Sequence, residues 1–336
     1  MLALEPITCP LCGSAAARRL CTVRDLALGV PGEFPLARCE GRGLLYQNPR
    51  VRVDQLGLAY PPGYGAHARE PELGRTVRRL DAGGRWFLAT RLGYMHLRPE
   101  RVSAADRLRG LGRRHKYLDL FPPWTGKGRL LDVGCASGKF LRQMGAVGWR
   151  LAGIEFDPEA AAKARAVTPD VFEGDPVDAP FAPGRFDLVT AFHVIEHLPE
   201  PLMALRRMVE WLAPGGLMIV EVPNAGGVGA RMFGRYWSGL DFPRHLVHFT
   251  PATMGAMVAR AGGRVECAAH RTKPRYLIRS LRLLLGARSG SAARTALALS
   301  QSRVGAGVMK IVLEVLMPLA RPGGLGEAVR YSIRRA

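Results

Sequence analysis

The spacing of apolar positions changes along this chain. From residue 129 onward, short apolar runs alternate with stretches of helical period, which predicts a parallel sheet covered by helices. Strands are expected at residues 129–133, 151–155, 171–173, 186–192 and 217–222. Between the second and third, Asp157 followed by Pro158 predicts a helix over 158–166: the Asp side chain can accept from the free N–H groups of the first turn, and proline suits the first helical position. A helix over 201–212 should stop at Ala213-Pro214-Gly215-Gly216. A Gly-rich stretch at 224–234, a helix at about 253–261 and an alternating strand at 264–269 follow. Residues 276–320 are apolar and studded with arginine at helical spacing, and 328–335 alternates again. The class is therefore α/β, a doubly wound sheet with a helical insertion near the C-terminus.

Upstream the pattern is different. Residues 1–50 hold four of the six cysteines (Cys9, Cys12, Cys21 and Cys39), which suggests a small N-terminal module. Residues 51–125 are Arg-rich, include the turn Tyr60-Pro61-Pro62-Gly63-Tyr64, and should fold as helices capping the sheet. The expected division is 1–50, 51–125 and 126–336, the last carrying the insertion at about 276–320. At 336 residues and 48% hydrophobic, the chain can bury a real core. It lacks an uncharged apolar stretch of spanning length, and its start lacks a secretory layout, so the expected location is the cytoplasm, without a disulfide framework.

Charge alters the picture through its placement. The net charge is +20, yet residues 75–116 hold 12 Lys/Arg against 3 Asp/Glu and residues 258–336 hold 15 against 3. The central segment is electrically ordinary and the flanks are basic. Solvated basic faces explain this, as does an anionic partner such as a membrane surface, a nucleic acid or a phosphorylated substrate.

The first strand of the sheet runs into a glycine loop. In LLDVGCASGKF, residues 130–140, Gly134, Cys135, Ala136, Ser137 and Gly138 join strand to helix. Glycine lets the backbone turn sharply and approach a ligand, although dinucleotide and phosphate sites use similar loops. Asp132 discriminates, because a carboxylate there repels a pyrophosphate but suits the cationic methionine part of S-adenosylmethionine. Glu155, at the end of the second strand, can accept both ribose hydroxyls. Asp175, after the third, can accept from the adenine amino group.

With those residues in register, the chain resembles the class I S-adenosylmethionine-dependent methyltransferases. FDLVTAFHVIEHLPEP (186–201), LAPGGLMIVEVPN (212–224) and YWSGLDFPRHLVHFTP (236–251) carry the likeness, which covers 129 to about 263. The resemblance implies a seven-stranded Rossmann-like sheet whose last strand, for which 328–335 is the candidate, is antiparallel. It also implies a cofactor set of Asp132, Gly134, Cys135, Gly138, Glu155, Asp175 and His193, with His193 on the methyl-transfer side.

Relatives with this layout often carry an N-terminal zinc ribbon of two Cys-x-x-Cys knuckles. Here the first, Cys9-Pro10-Leu11-Cys12, is intact; the second reads Cys39-Glu40-Gly41-Arg42. Structural zinc takes four ligands and arginine supplies none. Cys9, Cys12 and Cys39 remain as candidate ligands, with Cys21 as a possible substitute. Bound zinc and a ribbon-shaped module without metal both stay open.

Methyl transfer is a displacement in which the enzyme positions the acceptor and, for a hydroxyl, removes a proton. Histidine suits that task, and His193, His245 and His248 are the candidates. His193-Val194-Ile195-Glu196-His197 resembles the Glu-x-x-Glu-His stretch that ubiquinone-biosynthesis O-methyltransferases associate with a divalent metal, but with His193 in place of the first glutamate. Glu196 and His197 are read as structural. The segment from Tyr236 to Thr250, after a glycine-rich hinge, reads as a lid or as a packed aromatic corner, with Tyr60 and Tyr64 able to reach the same pocket.

The reading favours a small-molecule acceptor: a sugar, a natural-product intermediate or a quinone-like lipid. A lipid acceptor would bring residues 276–320 onto an anionic membrane. RNA methylation is suggested by charge alone, without an Asn-Pro-Pro-Tyr motif or an RNA-binding module. A non-catalytic scaffold would keep the fold without the chemistry.

Overall fold

The computed structural model describes residues 2–60, 80–288, 290–302, 305, 307 and 324–336. Tyr64, most of residues 303–320 and the turn around residue 62 lie outside that set.

Near the N-terminus, β1 (Leu4–Glu5) pairs with β5 (Arg50–Val51). Between them β2 (Ala17–Val23), β3 (Phe34–Cys39) and β4 (Leu45–Gln47) form an antiparallel sheet. That sheet is completed by β11 (Val247–His248), which arrives from far along the chain and pairs with β4. Cys9, Leu11, Cys39, Leu44 and Tyr46 are buried in one core with Leu131, Val220 and Phe249 of the large domain. The arginine-rich stretch then folds as helices α1 (Ala82–Leu92), α2 (Ala104–Gly112) and α3 (Arg114–Leu120). Phe87, Leu88 and Tyr117 from α1 and α3 are buried with Leu130 and Leu188 of the main sheet.

The main sheet has seven strands. β6 (Arg129–Val133), β7 (Arg150–Glu155), β8 (Val171–Glu173), β9 (Phe186–Phe192) and β10 (Leu212–Pro223) run parallel. β13 (Ala328–Arg335) lies antiparallel between β10 and β12 (Gly263–Arg271). The spatial order is β12-β13-β10-β9-β6-β7-β8. The Rossmann-like sheet with an antiparallel last strand is thus present, and 328–335 is that strand.

Single polar residues lock its register. The Asp187 carboxylate accepts from the N–H groups of Lys127 and Arg129 and from the Arg129 guanidinium, tying the start of β9 to the start of β6. Arg129 thereby holds Asp187 below the ordinary carboxylate range against the opposing effect of burial.

Helices α4 (Lys139–Gly145), α5 (Pro158–Arg165) and α6 (Pro201–Glu210) connect these strands, and Asp157 caps α5 by accepting from Ala160 N–H. One boundary differs from expectation. α6 stops at Glu210 and β10 begins at Leu212, because Leu212 already pairs with Phe186 and a register shift before Leu217 absorbs Ala213-Pro214-Gly215-Gly216. Beyond β10 come α7 (Val228–Phe233), α8 (Pro251–Arg260) and, in the insertion between β12 and β13, α9 (Pro274–Gly286) and α10 (Ser291–Gln301).

Candidate active site

The C-terminal ends of β9, β6, β7 and β8 lie side by side, so their following loops share one crevice. Gly134 turns at φ 70°, and a Cβ there would sit 2.4 Å from Val194 Cγ2, so the loop after β6 packs closely on the turn after β9. Ala136, at φ 46°, continues the bend, and Gly138, at φ 82°, opens α4. Left-handed backbone at a non-glycine residue costs energy, and something must hold it.

Glu155 does so. One carboxylate oxygen accepts from Ala136 N–H at 2.7 Å, and the other from Phe156 and Asp157 N–H at 3.0 and 2.9 Å. The residue that sequence reading assigned to the ribose also clamps the glycine loop. Asp132 lies beneath, buried, with Oδ1 accepting from the Thr190 hydroxyl at 2.6 Å. Burial, helped by the charge of Glu155 and opposed by Thr190, raises its pKa to about 7. Asp175 accepts from Val177 N–H and starts a 3-10 turn at Pro176–Asp178. Cys135 is buried, and burial pushes its thiol pKa well up. The donor set therefore fits a ligand with hydroxyls and a positive charge: two carboxylates at neighbouring strand ends, and a third beneath the loop that a cation would ionise.

His193 follows β9 at φ 59°. Its Nδ1 is 3.3 Å from Glu196 Oε1, its Nε2 is 3.4 Å from Glu221 Oε1, and the Tyr276 hydroxyl is 3.5 Å from Nδ1. Burial alone would lower the His193 pKa, but the hydrogen bonds and charges of Glu196 and Glu221 outweigh it and raise it to about 9. A raised pKa favours the protonated imidazole at neutral pH, which bears on the role expected for His193 as a proton acceptor. Glu221 is also held by Lys273 at 2.7 Å and Arg330 at 2.8 Å. Sequence reading missed Glu221, Lys273, Tyr276 and Arg330. The signal for Glu221 was an acid inside the apolar run LMIVEVP; Lys273 and Tyr276 come from the start of the insertion and had no local signal.

His245 and His248, the other two histidines expected in proton removal, are both buried. His245 Nδ1 is 2.8 Å from the Gly239 carbonyl, and its ring packs edge-on to His197 at 4.5 Å. Burial, with His245 adding to it, lowers His248 to a pKa of about 3 and His197 to about 4, so both are neutral imidazoles. Tyr60 reaches this cluster, with its hydroxyl 2.9 Å from His197 Nδ1. Alongside, Arg244 is fully buried between Asp25 and Asp241, at 2.8 and 3.0 Å, and donates to the Ala59 carbonyl. The segment expected as lid or aromatic corner is, in this state, a packed corner joined to the N-terminal module.

Among the described residues, two groups of donors could hold a metal. Ligand atoms of Glu196, His197 and His245 lie within 4.8 Å of one another, as do the sulfurs of Cys9, Cys12 and Cys39. The cysteine trio is one ligand short of a structural zinc tetrahedron. Cys21 does not join it; it packs instead with Val23, Phe34 and Trp237.

Residues 103–268 match the family model described as a methyltransferase domain. Residues 103–268 thus carry a methyltransferase domain. Curated relatives of this methyltransferase domain include a ubiquinone biosynthesis O-methyltransferase of Thiobacillus denitrificans, 31% identical over 33% of this chain and 50% of the relative. Another, from Xanthomonas euvesicatoria pv. vesicatoria, is 28% identical over 41% of this chain and 63% of the relative. The chain thus spans about half to under two thirds of the length of these relatives. A solved S-adenosylmethionine-dependent methyltransferase of Thermotoga maritima, described as a possible histamine N-methyltransferase, covers 78% of this chain and 98% of its own, at 16% identity and a TM-score of 0.43.

Proposed function

We propose that this chain transfers a methyl group from S-adenosylmethionine to an oxygen of a small acceptor of the phenol or quinol class, bound beside His193. The observation that carries the reading is the shared crevice, where adjacent strand ends bring the glycine loop, Glu155, Asp175 and His193 together. When bound, the cofactor supplies a methyl group on a positively charged sulfur. The chain's residues do the rest. Glu155 and Asp175 are suited to accept from ribose and adenine, and Asp132 balances the positive charge.

His193 acts here as a fixed cation rather than a base. A phenol ionises near pH 10 in water, and a positive charge within hydrogen-bond reach lowers that value. Glu196 and Glu221 face both ring nitrogens and keep the imidazolium charged, so it favours the acceptor's oxyanion through its charge. An acceptor that ionises this way is more phenol-like than sugar-like. The O-methyltransferase relatives support the choice of oxygen.

Calorimetry with S-adenosylmethionine, followed by transfer of labelled methyl to a hydroxylated quinol, a nucleotide sugar and an RNA transcript, tests the proposal. Binding and transfer to the quinol are expected. No heat of cofactor binding would favour a non-catalytic scaffold, and transfer only to sugar or RNA would overturn the acceptor class.

A further inference from the structure

The sequence placed a membrane contact at residues 276–320. In the described part of that segment, Leu277 of α9 is buried and the other leucines of α9 are half-buried. Leu299 of α10, 62% exposed, stands alone there as a large exposed apolar side chain among the described residues, whereas α2 and α3 carry a row of them. Leu108 is 73% exposed, Leu111 36% and Leu118 48%, all on α2 and α3. These helices are interrupted only at Arg113, whose φ of −99° and ψ of 8° stay near the helical region. At about 100° per residue, Leu108, Leu111, His115 and Leu118 fall within an arc of about 80°. The opposite side is spoken for. Gly110 and Tyr117 are buried, and a Cβ on Gly110 would sit 2.5 Å from the Gly83 carbonyl oxygen of α1, so that face is pressed onto its neighbour.

We infer that the leucine stripe of α2 and α3 is a docking surface for an anionic lipid bilayer. The exposed Arg107 and Arg114 border the stripe on one side; on the other, Asp119 comes first, facing Arg271 and Arg330, and the exposed Lys116 and Arg109 lie about 80–100° further round the helix. An apolar strip edged by cations on one side, with further cations round the same helices, matches an interface of acyl chains below and phosphates above. A second copy of the chain would bring like charges together, and nucleic acid would leave the leucines in water. The placement suits the site as well. The Asp119 carbonyl at the end of α3 accepts from Arg330, Arg330 donates to Glu221, and Glu221 faces His193, so the stripe lies on elements joined directly to the crevice. The inference stands apart from the acceptor chemistry, since docking needs neither cofactor nor acceptor.

Co-sedimentation of the full chain with phosphatidylglycerol vesicles and with phosphatidylcholine vesicles, at low and high salt, tests it. Binding is expected to the anionic vesicles only, weakened by salt. Leu108→Ser/Leu111→Ser/Leu118→Ser should lower the partition at least tenfold at unchanged melting temperature, and Arg107→Gln/Arg114→Gln/Lys116→Gln should remove the salt-sensitive part. Absence of binding at low salt would overturn the inference. So would binding that survives the leucine changes but is lost in Arg279→Gln/Arg282→Gln/Arg288→Gln, or a leucine-independent preference for an RNA transcript.

Discussion

The crevice at the strand ends and the buried corner behind it use the same residue types in opposite ways. In the crevice, Glu155 and Asp175 accept from backbone N–H groups within a few residues, or on the adjacent loop, Glu155 buried and Asp175 half-buried. In the corner, Asp25, Tyr60, Asp241 and Arg244 meet across as many as 219 residues of chain, and the charges are sealed from water. A local arrangement can be read and perturbed piece by piece. The distant one is a single unit, in which each charge is tolerable only because its partners are present.

The largest effect should come from the corner. Arg244→Ala leaves Asp25 and Asp241 facing each other with reduced compensation, and breaking a buried pair in this way costs about 3–5 kcal/mol. Denaturant unfolding reads it, and a loss under about 1 kcal/mol would mean the corner is no more coupled than the crevice. In the crevice, Glu155→Ala and Asp132→Ala should each weaken S-adenosylmethionine binding tenfold or more, as expected for a charge-assisted contact worth about 1.5–3 kcal/mol. Titration calorimetry measures this, and wild-type affinity in both variants would remove the cofactor assignment.

Acid separates the two regions further. With its pKa raised to about 7, Asp132 must release a proton before it can serve a cation, so cofactor affinity should rise by up to about tenfold between pH 6 and pH 8. For the corner the sign follows the histidines. The folded-state values of His197 and His248 are lowered to about 4 and 3, while the unfolded chain takes up protons near 6.5. Their contribution is therefore present above pH 6.5 and lost as pH falls toward 4, which denaturant midpoints across that range would follow. The smallest effect concerns the cysteines. Purified protein should hold well under one equivalent of zinc, and Cys21→Ser should leave that content unchanged; full occupancy abolished by that substitution would make Cys21 a ligand after all.

The same contrast explains what could be read from the sequence. The sheet and its glycine loop were legible because strand period, Asp157-Pro158 and LLDVGCASGKF are local signals, each set by neighbours within a few residues. Even there the side-chain role of Glu155 was only half visible, since its grip on Ala136 depends on how two strands lie side by side. His193 lies at the end of β9 as expected, but its pairing with Glu221 on the next strand, which bears on its protonation, could not be read from local spacing. Arg244 and Asp25 carried no signal at all. Nothing in ordinary spacing links residues so far apart.

Completion of the N-terminal sheet by β11 has a bearing on how the molecule is made. β4 leaves the ribosome roughly 200 residues before its partner, and at 5–20 residues per second it waits about 10–40 s with one edge unpaired. That edge carries Leu45, Tyr46 and Gln47, a short apolar template on which another nascent chain could add. The N-terminal sheet is therefore completed only after residue 248 has been made, which ties its folding to that of the large domain.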